Sequence, residues 1–245
     1  MQIVLNGANG RMGQIVAQRV EQGGAHAIAA KVDWSYAAGD GYSELAQYEG
    51  PADVVIDFSS HSATQAVTEY CASRGLPVVI ATTGQTDADL DMIRAAAKAV
   101  PVFLSGNMSI GVAVLADLAR RAAAMFPQAD IEIIERHHNQ KVDVPSGTAL
   151  LLARRIQEAR PEAELLVGRH ENGKRTPREI GIHSLRYGNE VGTHEVIIAA
   201  GSETITLKHE AEDRALFADG ALAAAAFLAG RAPGLYDMKD IVEQE

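Results

Sequence analysis

Over the first hundred residues, short apolar runs alternate with longer stretches whose apolar positions recur at helical spacing. The runs at 3–5, 27–32, 54–58, 78–81 and 102–104 are rich in Val and Ile and predict strands. The stretches 11–22, 63–74 and 87–99 predict helices between them. Asp87 and Asp89 stand where a helix N-terminus favours negative charge, and Gly75 and Pro77 break the chain before the fourth strand. Strands that are apolar on both faces and alternate with helices predict a parallel sheet covered on both sides.

After about residue 109 the pattern changes. Residues 112–126 predict a helix stopped by Pro127, 131–134 a strand, and 149–159 a second helix. Three β-like runs follow at 180–187, 191–200 and 204–209, with turn pairs Gly188-Asn189 and Gly201-Ser202 between them, so two hairpins are expected. The stretch 215–228 is Ala-rich and predicts a helix ending at Gly230. The expected fold class is therefore α/β: a Rossmann-type parallel-sheet domain plus a second α+β domain with a mixed sheet.

Composition narrows the function. The chain has 245 residues, 47% hydrophobic, with a formal net charge of −10. That balance repels phosphate backbones, so nucleic acid is not an expected partner. An anionic substrate would need a local cationic site. Cys71 is the only cysteine, which excludes an intramolecular disulfide and a cysteine-rich metal centre. No leader pattern opens the chain and no apolar run approaches the length of a membrane span, so a cytoplasmic protein is expected.

The first strand runs into Gly7-Ala8-Asn9-Gly10-Arg11-Met12-Gly13, a G-x-x-G-x-x-G loop that opens the first helix. Glycines there allow a tight turn and let backbone N–H groups approach a pyrophosphate at the helix N-terminus. Asp33 ends the second strand about 20 residues beyond Gly13, where an acid can accept hydrogen bonds from an adenosine ribose. Trp34 follows, where an arginine would hold a 2′-phosphate; this leans toward NADH or dual use with NADPH.

The segment Glu135-Arg136-His137-His138-Asn139-Gln140-Lys141-Val142-Asp143-Val144-Pro145-Ser146-Gly147-Thr148-Ala149 sets two histidines and a lysine after a strand. Ser146 can cap the helix that follows, and Gly147 with the Thr148 hydroxyl can form an anion site at its N-terminus. His137, His138 and Lys141 would supply positive charge and protons to a bound carboxylate.

That segment resembles the signature of the 4-hydroxy-tetrahydrodipicolinate reductase family. Further matches are Asp57-Phe58-Ser59, Thr82-Thr83-Gly84, Asn107-Met108-Ser109-Ile110-Gly111, Arg186 to His194 and Pro233 to Met238. The resemblance implies NADH- or NADPH-dependent reduction of 4-hydroxy-tetrahydrodipicolinate, with loss of water, in lysine and diaminopimelate biosynthesis. It implies His137 as proton donor/acceptor and Lys141 as proton donor. His138, Ser146, Gly147 and Thr148 would bind the substrate. Gly7, Ala8, Asn9, Gly10, Arg11, Met12 and Asp33 would hold the dinucleotide. Ala81, Thr82, Thr83, Ser105, Gly106, Asn107 and Met108 would flank its nicotinamide end. Ala81 stands where the family usually has glycine, and Trp34 where it commonly has arginine. The implied architecture assigns 1–109 and 215–245 to the dinucleotide-binding domain and 110–214 to a substrate-binding domain that builds a homotetramer.

Other signals are weaker. Gly168 to Lys174 approximates a P-loop, but Arg175 replaces the metal-binding Ser or Thr. No His-Glu-x-x-His occurs, so a zinc hydrolase is unsupported. Two alternatives differ in class: a Rossmann oxidoreductase acting on another carboxylated imine or aldehyde, and a non-catalytic NADH-sensing module. Substrate turnover separates them.

Overall fold

The computed structural model describes residues 1–243. In chain order the first elements are β1 (Gln2–Asn6), α1 (Arg11–Gly23), β2 (Ala27–Val32), β3 (Val54–Asp57), α2 (Thr64–Arg74), β4 (Val78–Ile80), α3 (Asp87–Ala96) and β5 (Pro101–Leu104). Then come α4 (Ile110–Met125), β6 (Asp130–His137), α5 (Gly147–Ala159), β7 (Glu164–Val167), β8 (Glu179–Arg186), β9 (Gly192–Ala200) and β10 (Glu203–Ala211). The chain closes with α6 (Ala215–Leu228), β11 (Gly234–Tyr236) and α7 (Met238–Val242). These elements form two compact units: Met1–Ser109 together with the chain from Ala215, and Ile110–Arg214.

In the first unit six strands lie in the order β11-β5-β4-β3-β1-β2, and every pairing is parallel. β3 and β4 are buried at every position, as continuous Val/Ile runs require when helices cover both faces. On one face Val4, Val55, Val78, Ile80 and Val102 pack with Val67 and Cys71 of α2 and Ile93 of α3. α6 packs against β3, β4, β5 and α1. Gly220 of α6 allows close approach: a Cβ there would stand 1.7 Å from the Met108 carbonyl oxygen. α3 begins with a reciprocal cap between Thr86 and Asp89 and stops at Ala96, three residues short of the expected 99. The expected strands, helices and glycine loop all lie in this layout; β11 and α7 carry no pattern long enough to have been anticipated.

The second unit is a mixed sheet in the order β10-β9-β6-β8-β7. β6 runs parallel to β8 and antiparallel to β9. Ile131 and Ile133 of β6, Ile180 and Ile182 of β8, and Val196 and Ile198 of β9 pack against Leu115 and Ala119 of α4 and Leu152 and Ile156 of α5. The expected hairpin at Gly201-Ser202 exists, with Ala200 opposite Glu203. The expected hairpin at Gly188-Asn189 does not. β6 lies between β8 and β9, and the connection spans the end of β6 instead. Its carbonyls accept the His138 N–H (Glu190 O, 2.8 Å) and the Asn139 N–H (Gly188 O, 3.2 Å).

Candidate active site

In the first unit the glycine loop is spent largely on its own turn. The N–H groups of Gly7 and Ala8 donate to the Val32 carbonyl at 2.9 and 3.0 Å, and that of Gly10 to the Gly7 carbonyl at 3.1 Å. The Asn9 N–H donates to the Asp33 carboxylate at 3.1 Å. Gly7 has φ of +78°, and a Cβ on Gly13 would stand 2.1 Å from the Gly7 carbonyl oxygen, so glycine is required at both. Gly10 caps α1 with no side-chain hydrogen bond. The first-turn N–H groups of Arg11, Met12 and Gly13, which helix geometry leaves without intrahelical acceptors, are the ones a pyrophosphate could engage.

A cavity of about 1030 Å³ opens beside this loop, lined by Gly7, Gly10, Asp33, Trp34, Phe58, Ser59 and Arg74 among others. Asp33 also accepts from the Ser35 hydroxyl at 2.6 Å and the Ser35 N–H at 3.0 Å. Burial opposes its ionisation, but the Ser35 and Asn9 bonds outweigh it and hold the carboxyl below the ordinary range. Trp34 is 88% exposed at the cavity lip. The one cationic lining residue, Arg74, is already tied to the Tyr48, Glu49 and Gly50 carbonyls. Lys31 lines a different depression, beside Gln14 and Tyr36.

Ala81, Thr82 and Thr83 lie just past β4, and Ser105 to Met108 just past β5; neither stretch lines that cavity. The Thr82 hydroxyl donates to buried Asp57 at 2.7 Å, and Asp57 also accepts from Asn6 Nδ2 at 2.8 Å and the Ser59 hydroxyl at 2.5 Å. This knot ties together the carboxyl ends of β1, β3 and β4. Ser105 Oγ donates to the Asn107 carbonyl at 2.7 Å, and Met108 is buried beneath α6. Thr83 and Gly106 remain exposed.

In the second unit the side-chain alternation of β6 carries Ile131 and Ile133 into the core, and the same face continues as Glu135 and His137. Glu135 is fully buried. It pairs with His137 Nδ1 at 2.5 Å, with Arg186 through two bonds of 2.7 and 2.8 Å, and with the Ser146 N–H at 3.1 Å. Burial opposes ionisation of Glu135, but the bonds from His137, Arg186 and Ser146 prevail and hold its carboxyl well below the usual range. Ser146 caps α5, its Oγ accepting the Ala149 N–H at 3.2 Å and lying 3.1 Å from His194 Nε2. The His137 and His194 rings meet edge to face at 5.1 Å. Burial is the main cause that pushes His194 down to about 3, so it is a neutral imidazole.

Lys141 reaches Asp143 at 2.8 Å, and the Asp143 carboxylate also accepts the Gly147 N–H. An internal carboxylate thus already sits between the lysine and the N-terminus of α5, the two cationic features expected to hold a substrate anion. His138 is half-buried after the strand, held through its N–H. Among the expected residues of this unit, His137, Lys141, Ser146 and Gly147 are linked through Glu135 and Asp143; Thr148 follows in the first turn of α5. Sequence reading gave no role to Glu135, Arg186 or His194. The signal for Glu135 was present, since it lies two residues before His137 on a strand. Glu135, His137 and His194 offer ligand atoms within 4.8 Å of one another, but the bidentate Arg186 cation on Glu135 suits a proton network rather than a metal. Arg175, the residue that broke the P-loop pattern, is bound to Asp130 and Glu132 of β6.

No helix among the described residues is long and apolar enough to cross a membrane. Residues 1–108 match the family described as dihydrodipicolinate reductase, N-terminus, and residues 111–242 match dihydrodipicolinate reductase, C-terminus. The 4-hydroxy-tetrahydrodipicolinate reductase of Caldanaerobacter subterraneus subsp. tengcongensis is 44% identical across 100% of this chain and 99% of that protein. That of Clostridium tetani is 42% identical across 97% of this chain and 95% of that protein. The dipicolinate-bound dihydrodipicolinate reductase from Paenisporosarcina sp. TG-14 superposes with a TM-score of 0.84 at 27% identity, over 98% of this chain and 99% of that one. The chain belongs to the dihydrodipicolinate reductase family, NAD(P)H-dependent oxidoreductases of lysine and diaminopimelate biosynthesis.

Proposed function

We propose that His137 and Lys141 are the acid–base pair with which this reductase converts 4-hydroxy-tetrahydrodipicolinate to tetrahydrodipicolinate with loss of water. The observation that carries the reading is the corner between β6 and α5, where a carboxylate-held imidazole, a lysine and a capped helix N-terminus share one short loop. A small dicarboxylate is the fitting ligand, and the relative from Paenisporosarcina sp. TG-14 is itself bound to dipicolinate. One carboxylate of the ring displaces Asp143 from Lys141 and the Gly147 N–H, with Ser146, Thr148 and His138 completing the contacts. Lys141 then donates a proton and stabilises charge as it develops, and His137 exchanges protons with the substrate.

The first unit (1–109 with 215–245) serves as the dinucleotide-binding domain, and 110–214 as the substrate-binding and tetramerisation domain. The glycine loop and cavity fit a dinucleotide: Gly7 and Gly13 clear the turn, Arg11 and Met12 offer N–H groups, and Asp33 presents an ionised acceptor. When bound, the nicotinamide supplies the hydride. Ala81, Thr82, Thr83, Ser105, Gly106, Asn107 and Met108 build the scaffold at its reactive end. The cavity holds Asp33, Glu44, Glu49 and Glu69 against one occupied arginine, so NADH binds more tightly than NADPH. The enzyme works as a cytoplasmic homotetramer.

The test is oxidation of NADH and NADPH with enzymatically generated 4-hydroxy-tetrahydrodipicolinate. Turnover is expected, with His137→Gln lowering kcat on the order of 10²-fold or more. Trp34 is the only tryptophan and lies at the cavity lip, so its quenching reports cofactor affinity directly. NADH Kd should be unchanged in His137→Gln, and NADPH should bind about tenfold more weakly, roughly 1.4 kcal/mol. Absence of turnover, or a fully active His137→Gln, overturns the assignment.

A further inference from the structure

We infer that Glu135, clamped by Arg186, is the positioning residue that fixes the tautomer and orientation of His137 and leaves Nε2 as its proton-exchanging atom. This rests on the reading of His137 as the acid–base residue and extends it to a group that does not itself touch the substrate.

The geometry allows few alternatives. Glu135 and His137 share one face of β6 and meet at 2.5 Å through Nδ1. A carboxylate that is ionised can only accept, so Nδ1 carries the hydrogen and the Nε2 lone pair is left for chemistry. Three further donors, two from Arg186 and one from the Ser146 backbone, hold the carboxylate in place. Arg186 also donates to the Asp143 carbonyl at 2.7 Å, so the same guanidinium braces the loop that carries Lys141. On the far side of the ring, a Cβ on Gly192 would stand 2.9 Å from Nε2; glycine there leaves that edge of the imidazole room.

Arg186 shares both carboxylate oxygens, so the carboxylate is held fixed against Nδ1 of the ring. The other charged or titratable groups around the ring come from every neighbouring element: Glu190 in the β8–β9 connection, His194 on β9 with His209 behind it on β10, and Lys141 after β6. Of these, the neutral His194 adds no positive charge.

The test combines Glu135→Gln and Glu135→Asp with ¹⁵N NMR of the His137 imidazole in the full-length enzyme. Glu135→Gln is expected to lower kcat by at least about tenfold. NADH Kd and substrate KM should stay within about twofold, because ground-state binding is not what the carboxylate serves. The pH–rate profile should differ from that of the wild type, because the imidazole is no longer held in one tautomer beside a fixed carboxylate. Glu135→Asp should recover part of the rate. In the wild type the ¹⁵N pattern should be that of the Nδ1–H tautomer at neutral pH, and in Glu135→Gln a mixture. A folded Glu135→Gln with wild-type kcat, pH profile and ¹⁵N pattern overturns the inference. Should that variant fail to fold, the wild-type spectrum decides alone, and a dominant Nε2–H tautomer overturns it. A fully active His137→Gln would instead sink the underlying assignment.

Discussion

His194 is 4% exposed, its Nε2 is 3.1 Å from Ser146 Oγ, and its pKa is driven down to about 3. In the unfolded chain the same ring titrates near its ordinary value. Its folded pKa is depressed, so the unfolded state binds a proton that the native state refuses, and stability falls as pH drops below about 6.5. By pH 5 this one group costs about 2 kcal/mol. His209, also lowered by burial, acts in the same direction. Replacing His194 with Gln should therefore lower stability at pH 7.5, by loss of its packing, yet reduce the further loss between pH 7.5 and pH 5 by about 2 kcal/mol. Urea unfolding of both proteins at the two pH values measures this; equal losses would show that another group carries the acid sensitivity. Glu135 has the opposite chemistry but the same sign of dependence. Its carboxyl is held far below its ordinary range, so its contribution is complete at neutral pH and disappears only in strong acid.

Elements were legible where their signal was local. The apolar runs of β1 to β5, the glycine loop and the Ser146 cap could all be read from residues adjacent in sequence, because propensity, capping and turn chemistry act over a few positions. The order of strands in the second unit could not. Gly188 takes φ of +54°, so the turn signal was genuine, yet no local feature says which strand lies between β8 and β9. The consequence is functional, since the connection from β8 to β9 lies across the end of β6 and hydrogen-bonds the residues that follow His137. Arg186, far from Glu135 in sequence, becomes its partner only through the parallel pairing of β6 with β8. Arg160 is a second long-range residue that pattern could not single out. It is buried at the end of α5 and donates to the carbonyls of Ala123, Phe126 and Ala129, closing the C-terminal end of α4. Arg160→Met removes these donors and strands buried acceptors, which should destabilise the second unit by about 3 kcal/mol. Hydrogen exchange should show α4 and α5 opening more readily, while NADH Kd by Trp34 quenching stays unchanged. Equal loss of protection across both units would mean that they do not unfold independently.

At the scale of the whole molecule, the dinucleotide features and the acid–base corner are carried by separate units joined by two chain crossings, near 109–110 and 214–215. Hydride transfer needs donor and acceptor atoms within about 3.5 Å of each other. On the proposed assignment, a dinucleotide held by the first unit must therefore meet a dicarboxylate held by the second. On that same assignment, a ligand with contacts on one unit alone has little differential affinity for a closed arrangement, whereas a dinucleotide on the first unit and a dicarboxylate on the second would together favour it. The net charge of −10 sharpens the point, because an anionic ring and an anionic dinucleotide are drawn in only by local cations and helix N-termini. Small-angle scattering of the assembled enzyme should show little change with NADH alone or with pyridine-2,6-dicarboxylate alone, and a smaller radius of gyration with both. Lys141→Ala, which removes a cation proposed to hold the dicarboxylate, should abolish the ternary contraction while leaving NADH binding intact. An unchanged radius in the ternary complex, at saturating NADH by Trp34 quenching, would mean the two surfaces already meet without movement, and the crossings near 109 and 214 would then be rigid connections rather than hinges.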